Sequence, residues 1–330
     1  MRYFVTGATG FIGGRLARKL VEMGHQVVTI ARTPEKAGDL VALGVEVHKG
    51  DLTDKESMRA PMTGADGVYH VAAWYKLGER DTSMAQAINV DGTRNVLELM
   101  RDLGVPKGVY TSTLAINSDT HGQVVDENYH FEGKHLSEYD RTKWEAHYRV
   151  AVPMMQQGLP LVIVMPGLVY GEGDTSSLRQ MFIQYLQRKL PLLPQKTALA
   201  WAHVDDIVQG HLLAMEKGKP GETYIIAGPV HTFIEAYKLA ERVTGVPAPV
   251  VKASPTMVKI MAGFMGAVGK IFPVPETMAG ETLRAMAGTT YIGSNAKAKR
   301  ELGYNPRPLE EGLPEVLLHE MELLGIKPKN

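Results

Sequence analysis

Short apolar runs of strand length alternate along the chain with longer segments whose apolar residues recur at helical intervals. This alternation predicts a parallel β-sheet covered by helices on both faces, which is the doubly wound α/β class. The predicted strands cover residues 3–5, 26–31, 45–49, 67–73, 108–112 and 161–165. The predicted helices cover residues 11–23, 39–43, 55–60, 84–103 and 139–157.

From residue 166 onward the alternation weakens, which predicts a smaller and more irregular C-terminal unit. Its predicted parts are a loop over 167–177, a helix over 178–188, a proline-rich connector over 190–194, a strand over 223–227 and a methionine-rich stretch over 256–286. We place the main unit at residues 1–166, with 203–228 expected to return to it. Residues 167–330 are assigned mainly to a substrate-binding unit. The methionine-rich stretch is interpreted as core packing, with an adaptable lid on an apolar substrate as the alternative.

Three glycines spaced three apart join the first strand to the first helix. Gly7, Gly10 and Gly13 carry no Cβ, so the N–H groups that open the helix can approach a bound pyrophosphate. Such a motif alone is weak evidence, because glycines also mark ordinary turns. Here it follows a strand pattern and opens a helical one, which is the context of a dinucleotide-binding turn. The segment therefore predicts a dinucleotide cofactor.

Composition and charge exclude several classes of protein. Lys plus Arg and Asp plus Glu number 36 each, so the net charge is zero and gives no field for nucleic acid or an anionic membrane. The absence of cysteine excludes disulfides and thiolate catalysis. The longest apolar stretch, 257–272, is interrupted by Lys259 and Lys270 and is too short to span a bilayer. We expect a soluble, cytoplasmic protein without a secretion signal and with neither a nucleic-acid nor a membrane partner.

The sequence predicts no metal site. Asp205 and Asp206 open a predicted helix, where capping is a more frequent role for aspartate than metal binding. The histidines also lack a metal-ligand spacing supported by a helical pattern.

The end of the second predicted strand indicates which dinucleotide is bound. NAD-selective sites place a carboxylate there, whereas this chain has Ala31 followed by Arg32, with Lys36 close behind. A guanidinium suits a ribose 2′-phosphate, so NADP is favoured over NAD. The alternative is that both cations are solvated loop charges. Asp51 and Leu52 follow the third strand, where the carboxylate can accept the adenine amino group or, alternatively, cap the next helix.

A tyrosine and a lysine four residues apart begin the helix at 139–157. Tyr139 and Lys143 share one helix face, so both side chains can enter the same cleft. A nearby cation favours the phenolate form of a tyrosine and lowers its pKa, which fits an acid–base role. Ser112 and Thr113 place hydroxyls at the end of the fifth strand, where open α/β sheets bind ligands. One of them is expected to bind a substrate oxygen, unless both only close the turn.

Together these segments resemble the extended short-chain dehydrogenase/reductases, the superfamily that includes NAD-dependent epimerases and dehydratases. The resemblance covers nearly the whole chain and implies the Rossmann fold, with a smaller C-terminal substrate-binding domain. The matching segments are TGATGFIG at 6–13, GDL at 50–52, HVAA at 70–73, NVDGT at 89–93, YTSTLA at 110–115, YDRTK at 139–143, PGLVYGEGD at 166–174, HVDDI at 203–207 and RELGYNPRPLEEGL at 300–313.

The resemblance implies a role for each matched position. Tyr139 would be the general acid–base, and Lys143 would both modify its pKa and bind the nicotinamide ribose. Thr113 would be the hydroxyl partner of the substrate oxygen, with Ser112 as the second choice. The residues implied to line the cofactor are Gly7, Gly10, Phe11, Ile12, Gly13, Ala72 and Pro166. The family also implies a homodimer formed through the helices at 84–103 and 139–157.

One departure from the family pattern bears on the substrate. Nucleotide-sugar epimerases usually carry an arginine where this chain has Leu199, and an aliphatic residue cannot pair with a diphosphate. We therefore predict an oxidoreductase of the dihydroflavonol-reductase-like branch, which uses NADPH to reduce a ketone or aldehyde of a small, fairly apolar substrate. The alternatives are an NAD-dependent nucleotide-sugar epimerase or dehydratase and a non-catalytic NADP-binding regulator. Specificity is expected to reside in 75–83, 167–194 and 247–291.

Overall fold

Strands and helices alternate from the start of the chain in the computed structural model, which describes residues 1–76, 81–269, 271–272 and 274–327. Part of the predicted specificity loop, residues 77–80, lies outside the described residues. The strands are β1 (Arg2–Thr6), β2 (Gln26–Ala31), β3 (Glu46–Lys49), β4 (Gly67–His70), β5 (Gly108–Thr111), β6 (Leu161–Pro166), β7 (Leu168–Tyr170), β8 (Leu193–Pro194), β9 (Ala198–His203), β10 (Thr223–Ile226), β11 (Val230–Thr232), β12 (Lys252–Ala253) and β13 (Thr290–Tyr291).

Helices connect most of these strands. The α-helical segments are α1 (Phe11–Glu22), α2 (Gly38–Ala42), α3 (Lys55–Met62), α4 (Ser83–Ala85), α5 (Thr93–Asp102), α6 (Glu138–Glu145), α7 (Val152–Gln156), α8 (Ser177–Leu186), α9 (Val204–Lys217), α10 (Phe233–Thr244), α11 (Pro255–Gly269), α12 (Gly280–Ala285), α13 (Ala296–Leu302) and α14 (Leu309–Leu323). Short 3₁₀ turns cover Pro34–Lys36, Leu114–Asn117 and Glu276–Met278, and π-helical turns cover Gln86–Gly92 and Ala146–Ala151.

Seven parallel strands form the main sheet in the order β10-β6-β5-β4-β1-β2-β3. Its two faces pack into separate apolar clusters, one under α1 and α9 and the other under α3, α5 and α7. This arrangement confirms the predicted doubly wound α/β class. The strand order reverses between β1 and β4, where such sheets open a crevice at the carboxyl ends of the strands. β10 pairs with β6 at the edge, so residues 223–226 lie in the main sheet.

The prediction of a loop over 167–177 is wrong in its first part. Leu168–Tyr170 forms β7, which pairs in parallel with β9. Gly167 permits this close approach, because a Cβ there would lie 2.2 Å from the carbonyl oxygen of Ala200. A run of three residues is too short for periodicity to identify as a strand.

The helix predicted over 139–157 is not uniformly α-helical. Its middle turn, Ala146–Ala151, is π-helical, and α7 starts immediately before Pro153. Proline supplies no N–H and its ring crowds the preceding turn, so a wider turn before it relieves the clash.

A second, smaller sheet covers the crevice from the C-terminal half of the chain. It has the order β11-β9-β13, with β7 also paired to β9. Together with α8, α10 and α14 it buries a third apolar cluster centred on Trp201, Tyr185 and Tyr237. Among the helices that the structure describes, none has the length and apolarity needed to cross a membrane.

Candidate active site

The turn after β1 contains two glycines, Gly7 and Gly13, at which a Cβ would clash with the backbone. Gly7 has a φ of 76°, and a Cβ there would lie 2.8 Å from backbone atoms of Ala72. A Cβ on Gly13 would lie 2.2 Å from the carbonyl oxygen of Gly7. Gly10 is the N-cap of α1 and provides no side chain to occupy the first N–H groups. This cradle fits the pyrophosphate of a dinucleotide, whose negative charge the helix N-terminus stabilises.

A cavity of about 750 Å³ runs along the carboxyl ends of the central strands. It brings together nearly all of the side chains predicted to bind a cofactor. Those that line it are Gly7, Gly10, Phe11, Ile12, Gly13, Arg32, Asp51, Leu52, Ala72, Lys143 and Pro166. Lys36 is the exception, because it lies exposed in a 3₁₀ turn and is not part of the cavity wall. Of the two predicted cations, only Arg32 is therefore placed to meet a phosphate.

The loop after β3 holds Asp51 at the edge of this cavity. Its Oδ1 accepts hydrogen bonds from the Thr53 backbone N–H at 2.9 Å and from the Thr53 hydroxyl at 2.8 Å. The alternative in which Asp51 caps the next helix is wrong, since Asp54 is the N-cap of α3. Arg32 is exposed and has no ion pair within the described part of the chain.

The predicted tyrosine and lysine lie on one face of α6, whose N-cap is Ser137. Tyr139 is half-buried, and its ring packs edge-on against Tyr75 at 4.8 Å between centroids. Lys143 is only 1% exposed. Its Nζ donates to the Tyr110 hydroxyl at 3.1 Å and to the Thr111 carbonyl oxygen at 2.8 Å. Both side chains line the same cavity as the glycine turn.

The electrostatics around this pair differ from the sequence-based expectation. Burial raises the pKa of Tyr139, and a hydrogen bond shared with Thr113 opposes the rise. Burial also lowers the pKa of Lys143 to about 7. Burial therefore favours the neutral form of both side chains.

The structure separates the two candidate hydroxyls, although both line the cavity. Thr113 shares a hydrogen bond with Tyr139 and caps the 3₁₀ turn that follows it. Ser112 is instead paired with Nδ1 of His147 at 2.8 Å. Burial lowers the pKa of His147 to about 3, so that ring is neutral. Thr113 is consequently the hydroxyl best placed to act with Tyr139.

Two positioning residues were not identified from the sequence. Asn89 accepts from the backbone N–H of Trp74 at 2.7 Å and donates to the hydroxyl of Thr142 at 3.0 Å, which ties the loop after β4 to α6. Thr6 accepts from the backbone N–H of Ala72 at 3.2 Å and so fixes the other wall of the glycine turn. Thr6 and Asn89 fall within the matching segments at 6–13 and 89–93, but residue spacing does not reveal the contacts that they make.

Asp140, next to the candidate catalytic tyrosine, is a buried carboxyl that also lines the cavity. The Ser137 hydroxyl bonds its Oδ1 at 2.7 Å, and the Tyr291 hydroxyl donates to its Oδ2 at 3.2 Å. Burial raises the pKa of Asp140 to about 7 despite these hydrogen bonds. Tyr291 belongs to β13, so the contact joins the first turn of α6 to the C-terminal unit.

The raised pKa of Asp140 predicts a specific pH dependence of stability. The folded protein holds this proton more tightly than the unfolded chain, whose carboxyl has an ordinary pKa of 3.8. Its contribution to the free energy of unfolding is complete below about pH 4 and is lost as the pH rises to about 7. The loss amounts to at most about 4 kcal/mol at 1.4 kcal/mol per pKa unit. Urea unfolding at pH 5 and pH 8 measures this loss as a difference in unfolding free energy. In an Asp140→Asn variant the contribution of this carboxyl to that difference should disappear.

An exposed carboxyl provides the control for that measurement. Asp126→Asn should keep the wild-type difference in unfolding free energy between the two pH values, because its carboxyl is solvated. If the Asp140→Asn variant showed the same difference as wild type, the carboxyl would not titrate as the structure indicates.

The C-terminal half of the chain contributes both apolar and polar side chains to the cavity wall. Its apolar contribution includes Leu168, Leu178, Met181, Leu199, Phe233 and Met286. The acidic residues Asp140, Asp174 and Glu276 also line the cavity. The cations among the described lining residues are Arg32, Lys76 and Lys143. Leu199 contributes an aliphatic surface to the cavity wall.

The adjacent aspartates at the start of α9 are engaged in ion pairs. Asp205 pairs with Arg15 at 2.9 Å, and Asp206 pairs with Arg307 at 3.1 Å. Neither is the N-cap, which is His203, so the capping interpretation of these residues is wrong. Within the described residues no group of three His, Asp or Glu side chains is arranged to hold a metal ion.

The glycine cradle and the tyrosine, lysine and threonine of the cavity define an NAD(P)-dependent oxidoreductase of the extended short-chain type. Comparison with known proteins supports this class. The chain belongs to the NAD-dependent epimerase/dehydratase family, whose model matches residues 3–227. The resemblance identified from the sequence motifs is thereby confirmed.

Individual relatives support the same class. The chain is 34% identical to a provisionally named dihydroflavonol 4-reductase of Synechocystis sp., over 75% of this chain and 74% of that protein. It is 30% identical to a 3β-hydroxysteroid dehydrogenase/Δ5→4-isomerase of Mycobacterium tuberculosis, over 98% and 91% of the two chains. The crystal structure of gox2253 has a TM-score of 0.83 and 30% identity, and the match covers 98% of this chain and 99% of that one.

Proposed function

We propose that this protein is an NADP(H)-dependent carbonyl reductase that acts on a ketone or aldehyde of a small, fairly apolar substrate. One observation carries the proposal: the cavity that contains Tyr139 has the aliphatic side chain of Leu199 in its wall, where the resemblance implies that an epimerase would hold a diphosphate. Relatives named as a dihydroflavonol 4-reductase and a 3β-hydroxysteroid dehydrogenase support a carbonyl or alcohol group as the reacting centre.

In this proposal each site residue has a defined task. Tyr139 donates a proton to the substrate oxygen, and Thr113 holds that oxygen by a hydrogen bond. Lys143 contributes positive charge beside the phenol once its ammonium is protonated, and its contacts with Tyr110 and Thr111 fix its position. The cradle of Gly7, Gly10 and Gly13 and the guanidinium of Arg32 hold NADPH, which supplies the hydride.

The proposal is tested by following NADPH absorbance with purified protein. The panel comprises flavanonols, steroid ketones, cinnamoyl aldehydes and simple aliphatic aldehydes. Turnover on at least one class with one NADP⁺ formed per alcohol is expected. Conversion of a UDP- or dTDP-sugar without net cofactor consumption would identify an epimerase or dehydratase instead. Tight NADPH binding without turnover on any substrate would point to a non-catalytic regulator.

The choice of cofactor is tested through Arg32. An Arg32→Gln variant removes the charge-assisted partner of the 2′-phosphate, so the NADPH/NADH ratio of kcat/KM should fall about tenfold to a hundredfold. Lys36→Gln is the matched control, because Lys36 lies outside the cavity, and its ratio should change less than twofold. Equal effects of the two substitutions on this ratio would show that Arg32 does not bind the 2′-phosphate.

A further inference from the structure

The outer face of α11 is apolar and exposed. The inner face of this helix buries Val258 and Ala262 against α12. The opposite face exposes Ile260 at 69% and Phe264 at 68%, together with Met257 one turn earlier. A helix that is hydrophobic on all sides is normally covered on all sides. The outer face of α11 has no such cover within the described residues.

Large exposed apolar side chains concentrate in this one segment of the protein. The structure describes sixteen of them, and seven fall between residues 250 and 272, which excludes a random scatter of exposed apolar residues. The seven are Val250, Val251, Met257, Ile260, Phe264, Ile271 and Phe272. Ile271 and Phe272 continue this series of exposed apolar side chains just beyond the end of α11. Their backbone N–H groups both donate to the carbonyl oxygen of Val268 at 2.9 Å, which holds the turn against the end of the helix.

The charge of the same segment has a single sign. Residues 250–275 contain Lys252, Lys259 and Lys270 and no aspartate or glutamate, in a chain whose total charge is zero. Lys252 and Lys259 are exposed, and Lys270 lies outside the described residues. A helix with an exposed apolar face and flanking lysines is suited to the surface of an anionic bilayer. Two-fold pairing with a second copy would instead bring like charges together.

The apolar helix also lies next to the wall of the cavity. α12 packs tightly on α11, since a Cβ on Gly280 would lie 2.9 Å from the Ala262 carbonyl oxygen and 2.9 Å from Cα of Gly266. Thr282 and Ala285 of α12 line the cavity. Only one layer of helix therefore separates the exposed apolar face from the cavity.

We propose that α11 and the turn at 271–272 form a membrane-docking surface that lies in the headgroup region of an anionic bilayer. The helix lies in the plane of the membrane and does not cross it. The expectation of no membrane partner was based on total charge and on the length needed to span a bilayer. Neither quantity bears on a helix of 15 residues that inserts only its outer face.

Vesicle flotation with the full chain tests this proposal without reference to turnover. Wild-type protein should float with vesicles of phosphatidylcholine and 30% phosphatidylglycerol, and much less with phosphatidylcholine alone. The double variant Ile260→Ser/Phe264→Ser should lower the partition coefficient at least tenfold, because it removes the inserted side chains. Lys259→Gln should lower binding to the anionic vesicles about fivefold.

A matched control removes exposed leucines elsewhere. Leu318→Ser/Leu323→Ser, on α14, should leave the partition coefficient unchanged within twofold. Circular dichroism and thermal melting verify that each variant is folded. Wild-type protein that stays in the aqueous fraction, or equal binding by the Ile260→Ser/Phe264→Ser variant, would overturn the proposal. A dimer that this variant dissociates, without vesicle binding by wild type, would assign the face to a second copy instead.

Discussion

Replacement of Tyr139 by phenylalanine should lower kcat for carbonyl reduction by a factor of about 10²–10⁴, the range that general acid catalysis contributes. The ring and its edge-on packing against Tyr75 would remain, and only the hydroxyl that bonds Thr113 would be lost. Affinity for NADPH should change little, because the substitution leaves the glycine turn, Arg32 and Lys143 unchanged. Steady-state kinetics and fluorescence titration with NADPH measure the two quantities separately.

Tyr148 provides the matched control in the same helical region. Its hydroxyl donates to the backbone carbonyl of Tyr129 at 3.1 Å, and it is not part of the cavity wall. Tyr148→Phe should therefore keep kcat within about threefold, the cost of one ordinary hydrogen bond. A Tyr139→Phe variant as active as the Tyr148→Phe variant would remove Tyr139 from the proposed mechanism.

Among alanine substitutions in the glycine turn, Gly13→Ala should weaken cofactor binding the most. The added Cβ would lie 2.2 Å from the carbonyl oxygen of Gly7, so the turn or the first residues of α1 must move. Forcing extra volume into a packed site costs about 1–3 kcal/mol, and the relaxed turn no longer presents its N–H groups to a pyrophosphate. We expect the Kd for NADPH to rise at least tenfold and the melting temperature to fall.

Gly38 provides the control for the effect of a glycine-to-alanine change without a clash. A Cβ on Gly38 would meet no heavy atom within 4 Å, so Gly38→Ala should leave both the melting temperature and the Kd close to wild type. Unchanged NADPH affinity in the Gly13→Ala variant would mean that the turn after β1 does not hold the cofactor.

The main sheet could be predicted from the sequence because it depends on local signals. Its strands are short apolar runs buried on both faces, and the intervening helices repeat at helical spacing. The glycine turn was equally predictable, since the clashes around Gly7 and Gly13 are ones that only glycine avoids. The placement of Tyr139 and Lys143 in one cavity follows from their four-residue spacing on one helix face.

What the sequence could not predict depends on contacts between distant segments. Both Ser112 and Thr113 end the same strand, and only the position of His147 shows which hydroxyl is occupied elsewhere. The bond between Asp140 and Tyr291 joins residues 151 positions apart, so no local pattern reveals the buried carboxyl. Lys36 was predicted to accompany Arg32, but it lies in a 3₁₀ turn and is not part of the cavity wall.

The central claim, net hydride transfer from NADPH to a carbonyl carbon, is tested most directly with NADPH deuterated at C4. Each of the two C4 stereoisomers is incubated with wild-type protein and the best substrate of the panel, and the alcohol is analysed by mass spectrometry. We expect one isomer to deliver one deuterium per alcohol, with one NADP⁺ formed for each. A product without deuterium from either isomer, or a rearranged product without NADP⁺, would contradict the assignment as a carbonyl reductase.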